Sequence, residues 1–169
     1  MLTTDQKGAL AEQAIAFEAM THGVGVSRPL GDERYDLIFD LRPRLLRIQC
    51  KWAVRRGDVI VIVCRTSRRG PNGIVPRRYS EEEIDAIAAY CQATGSCYLL
   101  PKDLSVLRAG VQLRLSPARN NQKTKIKWAR DFELGATLTQ LLGPIAQLGE
   151  RRAGSAKVAG SSPAGSIVQ

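Results

Sequence analysis

The order of elements that this sequence predicts is that of an α/β or α+β domain with a mixed central sheet. Three observations carry that expectation. A helix-like segment opens the chain, and short strand-like runs follow it, two of them parted only by Arg42-Pro43. A second helix-like segment, headed by Ser80, stands between the middle and the late strands. The 169 residues give room for one domain, or one domain with a tail, and enough chain to bury a core without disulfides.

Residues 4–20 place Leu10, Ala14, Ile15 and Phe17 on one apolar stripe at helical spacing. Thr4 is the expected N-cap and Gly23 the expected stop, while Glu12 lies off the centre of the stripe. Strand-like runs follow at Val24–Pro29, Tyr35–Leu41 and Arg44–Trp52. The breaker Arg42-Pro43 makes the last two an antiparallel hairpin. Asp58–Cys64 is apolar enough to be a central strand, and Arg65–Gly73 is expected as a basic loop full of breakers. Ser80-Glu81-Glu82-Glu83 has the form of a capping box, so a helix is expected from Glu81 to Ala93, ended by Gly95. Ser96–Leu100 and Val111–Leu115 read as strands. Asn120–Leu134 reads as a basic amphipathic helix with Ile126, Trp128 and Phe132 among its apolar positions. His22 is expected as a surface or capping residue.

Composition narrows the function. Cys50, Cys64, Cys91 and Cys97 form no CxxC pair, and His22 is the sole histidine, which argues against structural zinc and for reduced thiols in a cytoplasmic protein. No apolar run is long enough for a membrane span, and the N-terminus lacks a signal-peptide core, so neither secretion nor membrane insertion is expected. Twenty-five Lys and Arg stand against 16 Asp and Glu, a net +9, which points to a polyanionic partner such as nucleic acid.

One constellation carries chemistry. Alternate residues of a strand share a face, so Gln49 and Lys51 project side by side, and closure of the hairpin near Arg42-Pro43 sets Asp36 across from Gln49. A carboxylate, an amide carbonyl and an ammonium then converge. Burying Gln49 and Lys51 on a strand with Leu45, Ile48 and Trp52 is costly without a purpose. Such a group suits metal-assisted hydrolysis of a phosphodiester: oxygen donors hold a hard cation such as Mg²⁺, and a lysine orients water and offsets negative charge. By itself the pattern is a weak signal, because an acid followed by QxK also occurs in solvated hairpins.

Glu12, Arg34-Tyr35-Asp36-Leu37 and Leu46-Arg47-Ile48-Gln49-Cys50-Lys51 together resemble the PD-(D/E)xK nuclease superfamily. More closely, the chain is similar to the group I intron-encoded homing endonucleases of that superfamily. Pro29-Leu30-Gly31-Asp32, the Ala88–Cys91 to Cys97–Pro101 stretch, Arg119-Asn120-Asn121-Gln122-Lys123 and Trp128–Phe132 extend the likeness, which covers Asp5 to Leu134. The resemblance implies an α/β, restriction-endonuclease-like core, a mixed central β-sheet flanked by helices with the active site on the early hairpin. It implies catalytic roles for Glu12, Asp36, Gln49 and Lys51, with Asp36, Glu12 and Gln49 as metal ligands and Mg²⁺ as cofactor, Mn²⁺ being a substitute. Gln49 departs from the Glu or Asp of most members, which argues for one metal ion or weaker affinity; the homing branch is similar in using glutamine. Tyr35 stands where the superfamily name has proline.

With a nuclease site nearby, Arg55, Arg56, Arg65, Arg68 and Arg69 are expected to grip phosphates, joined by Arg77 and Arg78. Arg119, Asn120, Asn121 and Lys123 complete the expected DNA contacts. The implied function is a metal-dependent endonuclease acting on double-stranded DNA, site-specific and working as a homodimer or homotetramer. A Holliday-junction resolvase or repair-type nuclease is the alternative within the fold, and a catalytically inactive DNA-binding protein the alternative from another class.

The nuclease domain is expected to end at residue 142. From Gly143 the composition turns to Gly, Ala, Ser and Arg without periodicity. Gly160-Ser161-Ser162-Pro163 can be encoded by GGT TCG AGT CCC, which holds the T-loop word of transfer RNA, and Ile145–Arg151 can encode a D-arm. Residues 143–169 therefore read as a non-core tail produced by translation through a tRNA gene. Without it the net charge is still +7.

Overall fold

In the computed structural model, which describes residues 1–70, 73–117 and 124–142, the first helix α1 (Thr4–Thr21) is capped one residue earlier than expected. The Thr3 hydroxyl accepts the Gln6 N–H at 3.2 Å, and the Gln6 side chain accepts the Thr3 N–H at 2.9 Å, a reciprocal capping box. Gly23, with φ +77°, ends the helix after the exposed C-cap His22. The buried face is also not the expected one. Ala11, Ile15 and Ala19 are buried, whereas Leu10 and Phe17 are exposed. Small alanines at that spacing let the helix lie close on the sheet, and the bulkier residues turn outward.

Strands β1 (Gly25–Ser27), β2 (Leu37–Asp40) and β3 (Leu45–Trp52) pair antiparallel, and the hairpin turns at Arg42-Pro43 as expected. Strands β4 (Val54–Arg56) and β5 (Val59–Val63) then form a second ladder. The expected basic loop is instead a hairpin of β6 (Arg65–Gly70) and β7 (Gly73–Arg78). Its glycines Gly70 and Gly73 pair where the two arms meet and leave both arms free to form the ladder.

The helix expected from Glu81 to Ala93 is not formed. Ser80 and Glu83 do make a cap-like turn, with Glu83 Oε2 accepting the Ser80 N–H at 3.0 Å. Asp85 then leaves the helical path: its N–H donates to Arg47 O at 2.9 Å, and its carboxylate accepts Arg47 N–H and Nε at 2.8 and 3.0 Å. Those bonds start β8 (Ala86–Cys91), which runs parallel to β3. It is buried on both faces, so it reads as a continuous apolar run, which spacing alone cannot tell from a helix.

Strand β9 (Ser96–Pro101) returns antiparallel to β8, with Gly95 at φ +69° in the turn. A single turn α2 (Lys102–Ser105) leads to β10 (Gly110–Arg114), which joins the ladder with β5 at its centre. The expected helix over Asn120–Leu134 is also corrected. Residues 118–123 lie outside the described residues, and Trp128 is extended and bridged to Arg114. A short 3₁₀ turn over Ala129–Phe132 precedes a helix over residues 134–142, here α3.

The main sheet has the order β1-β2-β3-β8-β9. One face carries Leu37, Phe39, Leu46, Ile48, Ala88 and Leu99 against Ile15 of α1 and Leu138 of α3. The other face carries Ile87, Ala89, Tyr98 and Leu100 against Ile60, Ile62 and Leu113 of the three-stranded ladder. The main sheet thus has a core on each face, and the buried apolar side chains of β2 and β3 belong to the one under α1. Among the described residues no helix is long and apolar enough to cross a membrane.

Candidate active site

Asp36 directly precedes β2, and its N–H donates to Ile48 O at 2.9 Å. With Leu37 opposite Ile48, the antiparallel register sets Asp36 across from Gln49. Strand alternation sends Ile48 and Cys50 into the core under α1 and turns Gln49 and Lys51 the other way. Asp36 Oδ2 accepts the Cys50 N–H at 2.7 Å and an N–H of the Gln49 side chain. The amide oxygen of Gln49 makes no hydrogen bond among the described residues. Gln49 is 8% exposed, one of two buried polar residues in the described chain.

Burial pushes the Asp36 carboxyl above the ordinary carboxylate range, against the pull of the Cys50 N–H; the charge of Glu12 adds to the rise, and the charge of Lys51 and the hydrogen bond from the Gln49 amide oppose it. Glu12 does not touch Asp36. It reaches the site from α1 while paired with Arg28 Nη1 at 2.7 Å. Both carboxylates line a cleft of about 210 Å³ with Arg28, Tyr35 and two further acidic residues, Asp32 and Glu33. Lys51 is half-buried, and its Nζ donates to Tyr79 Oη at 2.7 Å.

Two opposed carboxylates and an amide oxygen are the hard donor set that a divalent ion satisfies, because the cation relieves the charge that burial disfavours. Among the described residues no group of three His, Cys, Asp or Glu side chains converges as a metal cage. Thiol chemistry is disfavoured. Burial pushes the Cys50 and Cys97 thiols well up and that of Cys64 to about 11, so all three stay neutral.

The expected DNA-contacting residues are dispersed. Arg55 and Arg56 are exposed on β4, and Arg55 Nε donates to Gly57 O at 2.9 Å. Arg65 stands opposite Arg78, both exposed, while Arg68 and Arg69 lie on β6 opposite Val75 and Ile74. Arg119, Asn120, Asn121 and Lys123 lie outside the described residues. Sequence reasoning missed Arg28, Arg34 and Tyr79 as neighbours of the cluster. Arg28 is 16 residues from Glu12 and Tyr79 is 28 from Lys51, separations that no periodicity bridges.

A family model described as PD-(D/E)XK endonuclease matches residues 2–135. The solved structure of a bacterial homing endonuclease, I-Ssp6803I, matches with a TM-score of 0.66 and 26% sequence identity, over 88% of this chain and 99% of that one. A comparison with curated protein sequences finds no match. The span matched by the family model contains α1, both ladders and Glu12, Asp36, Gln49 and Lys51.

Proposed function

This chain belongs to the PD-(D/E)XK endonuclease family, and we propose that within it the protein is a divalent-metal-dependent homing endonuclease that cuts double-stranded DNA at a specific site. The observation that carries the site assignment is the convergence of Asp36 and Gln49, with Lys51 projecting beside them from β3. Asp36, the Gln49 amide oxygen and Glu12 would hold Mg²⁺, or Mn²⁺ in its place. When bound there, the cation supplies Lewis acidity at the scissile phosphate and makes water a stronger nucleophile.

The protein's own groups do the rest. The Cys50 N–H fixes one oxygen of Asp36, so the carboxylate is aimed before any substrate arrives. The Lys51 ammonium orients the attacking water and balances charge that builds on the phosphorane oxygens. Arg28 shares the cleft with Glu12, close enough to meet a phosphate oxygen there. The exposed arginines of β4, β6 and β7 hold the flanking backbone, an affinity spread over many contacts.

A domain of this size spans a long target more readily as a symmetric assembly. The exposed Leu10, Phe17 and Met20 on α1 support a homodimer or homotetramer. The working nuclease is residues 1–142, with 143–169 a tail outside it.

The test is to incubate the full chain with a duplex library that includes randomised sequence and tRNA genes, with and without Mg²⁺, and to sequence the new ends. Recurrent ends at one motif, absent without the cation, are expected. Cutting confined to four-way junctions would make the protein a resolvase instead, and binding without ends in either Mg²⁺ or Mn²⁺ would make it an inactive DNA-binding protein.

A further inference from the structure

We propose that Tyr79 is a positioning residue for Lys51, holding the ammonium at the reacting phosphate; this rests on the role given to Lys51 above. A lysine ends in a compact charge on a flexible four-carbon stem, so a strand fixes its Cβ but not its Nζ. Something else must fix the head. In this fold it is a phenol 28 residues away, whose Oη accepts from Lys51 Nζ at 2.7 Å, with Nζ 5.0 Å from the ring centroid.

Tyr79 is itself immobile. It is 2% exposed and packs in the core beneath β5 and β10. Its carbonyl accepts the Leu107 N–H at 3.3 Å, and the Arg34 guanidinium lies 4.8 Å from its ring centroid. Arg34 is anchored in turn by Glu83, whose carboxylate accepts Arg34 Nε at 3.2 Å and also meets Arg77 of β7. The ring is therefore held by packing, by backbone and by a cation on its surroundings.

An ammonium has three N–H groups. One is spent on Tyr79, which leaves two for a water or a phosphate oxygen. The phenol does not need to reach the substrate, and its burial keeps it from doing so. Tyr79 also directly follows β7, so the residue that aims Lys51 is the last anchor of the basic hairpin.

The experiment uses the full chain on its target duplex, comparing wild type, Tyr79→Phe and Lys51→Ala. Tyr79→Phe keeps the ring and removes the acceptor. Its single-turnover rate at saturating DNA and Mg²⁺ should fall about 10- to 100-fold, the scale of a misplaced reacting group. DNA affinity in Ca²⁺ and the thermal midpoint should stay at wild-type values. A fluorinated tyrosine at Tyr79, which keeps shape and weakens the acceptor, should fall between the two and guards against a folding defect in the phenylalanine variant. Unchanged rates in both variants, or a rate loss matched by equal losses of affinity or midpoint, would overturn the positioning role. If Lys51→Ala still cuts, the role of Lys51 fails as well; if Lys51→Ala is dead while Tyr79→Phe cuts normally, only the role of Tyr79 fails.

Discussion

The hairpin of β2 and β3 and the hairpin of β6 and β7 are both antiparallel ladders, yet they hold their polar side chains in opposite ways. On the first, Asp36 and Gln49 are bonded to each other and Asp36 to the Cys50 N–H, while Lys51 is fixed by a buried phenol. On the second, Arg65, Arg77 and Arg78 stand exposed, and the ion pair of Arg77 with Glu83 leaves the arginine mostly in solvent. The first pattern fixes each atom at a cost in buried charge. The second leaves long side chains free to meet a phosphate wherever it lies. Chemistry needs the former, and affinity is served by the latter.

The largest effect should come from removing one fixed charge. Asp36→Asn should lower cleavage on the order of 1000-fold or more, because groups that act as a unit fail as a unit. The same change should stabilise the fold. Since burial holds the Asp36 carboxyl above its ordinary value, the folded protein keeps that proton to higher pH than the unfolded chain does. The stability tied to the protonated form is complete below about 3.8 and is lost as pH rises through the raised folded value. Asparagine cannot ionise, so the metal-free variant should melt above wild type at pH 7, with the gap closing in acid. Melting curves across pH check the sign.

A smaller effect is expected on the other hairpin. Arg65→Ala combined with Arg78→Ala should weaken DNA binding roughly 10- to 100-fold and flatten the log-log salt dependence by about 2. The saturated cleavage rate should not change. A rate loss at saturation would place those arginines at the chemistry rather than at the flanks.

Gln49→Glu should act more subtly, by adding a carboxylate where Asp36 and Glu12 already stand. Cation affinity should rise several-fold and the preference between Mg²⁺ and Mn²⁺ should shift. Identical metal titrations for variant and wild type would mean that Gln49 does not meet the ion.

The smallest effect belongs to truncation after Leu142. Leu138 is buried, and Leu141 and Leu142 pack against the first core, so the cut keeps the apolar end of α3. The thermal midpoint should stay within about 2 degrees; a drop of several degrees, about 1 kcal/mol for a domain this size, would show that later residues belong to the fold.

The two hairpins also differ in how far they could be read from sequence. The β2–β3 ladder was legible because Arg42-Pro43 breaks two apolar runs, and strand alternation then fixes which residues share a face with Lys51. The β6–β7 ladder was not, since β6 carries no apolar side chain, β7 has only Ile74 and Val75 before a proline, and the intervening breakers resemble a loop. The Ala86–Cys91 strand failed for another reason. A parallel strand buried on both sides has no polar alternation, and the turn at Ser80 copies the start of a helix. The bond from Asp85 to Arg47, between residues 38 apart, decides that region, and local pattern cannot see it. Tyr79 was missed in the same way: its importance lies in where packing puts it, not in its neighbours along the chain.

The contrast between the two hairpins is tested most directly by measuring binding and single-turnover cleavage on one duplex, the site found by end sequencing, for Lys51→Ala and for the Arg65→Ala, Arg78→Ala double variant. A crossed result is predicted. Lys51→Ala should lose cleavage and keep most of its affinity, and the double variant should lose affinity and keep its rate once DNA is saturating. If both variants lose rate and affinity in the same proportion, catalysis and grip are not divided between the two hairpins.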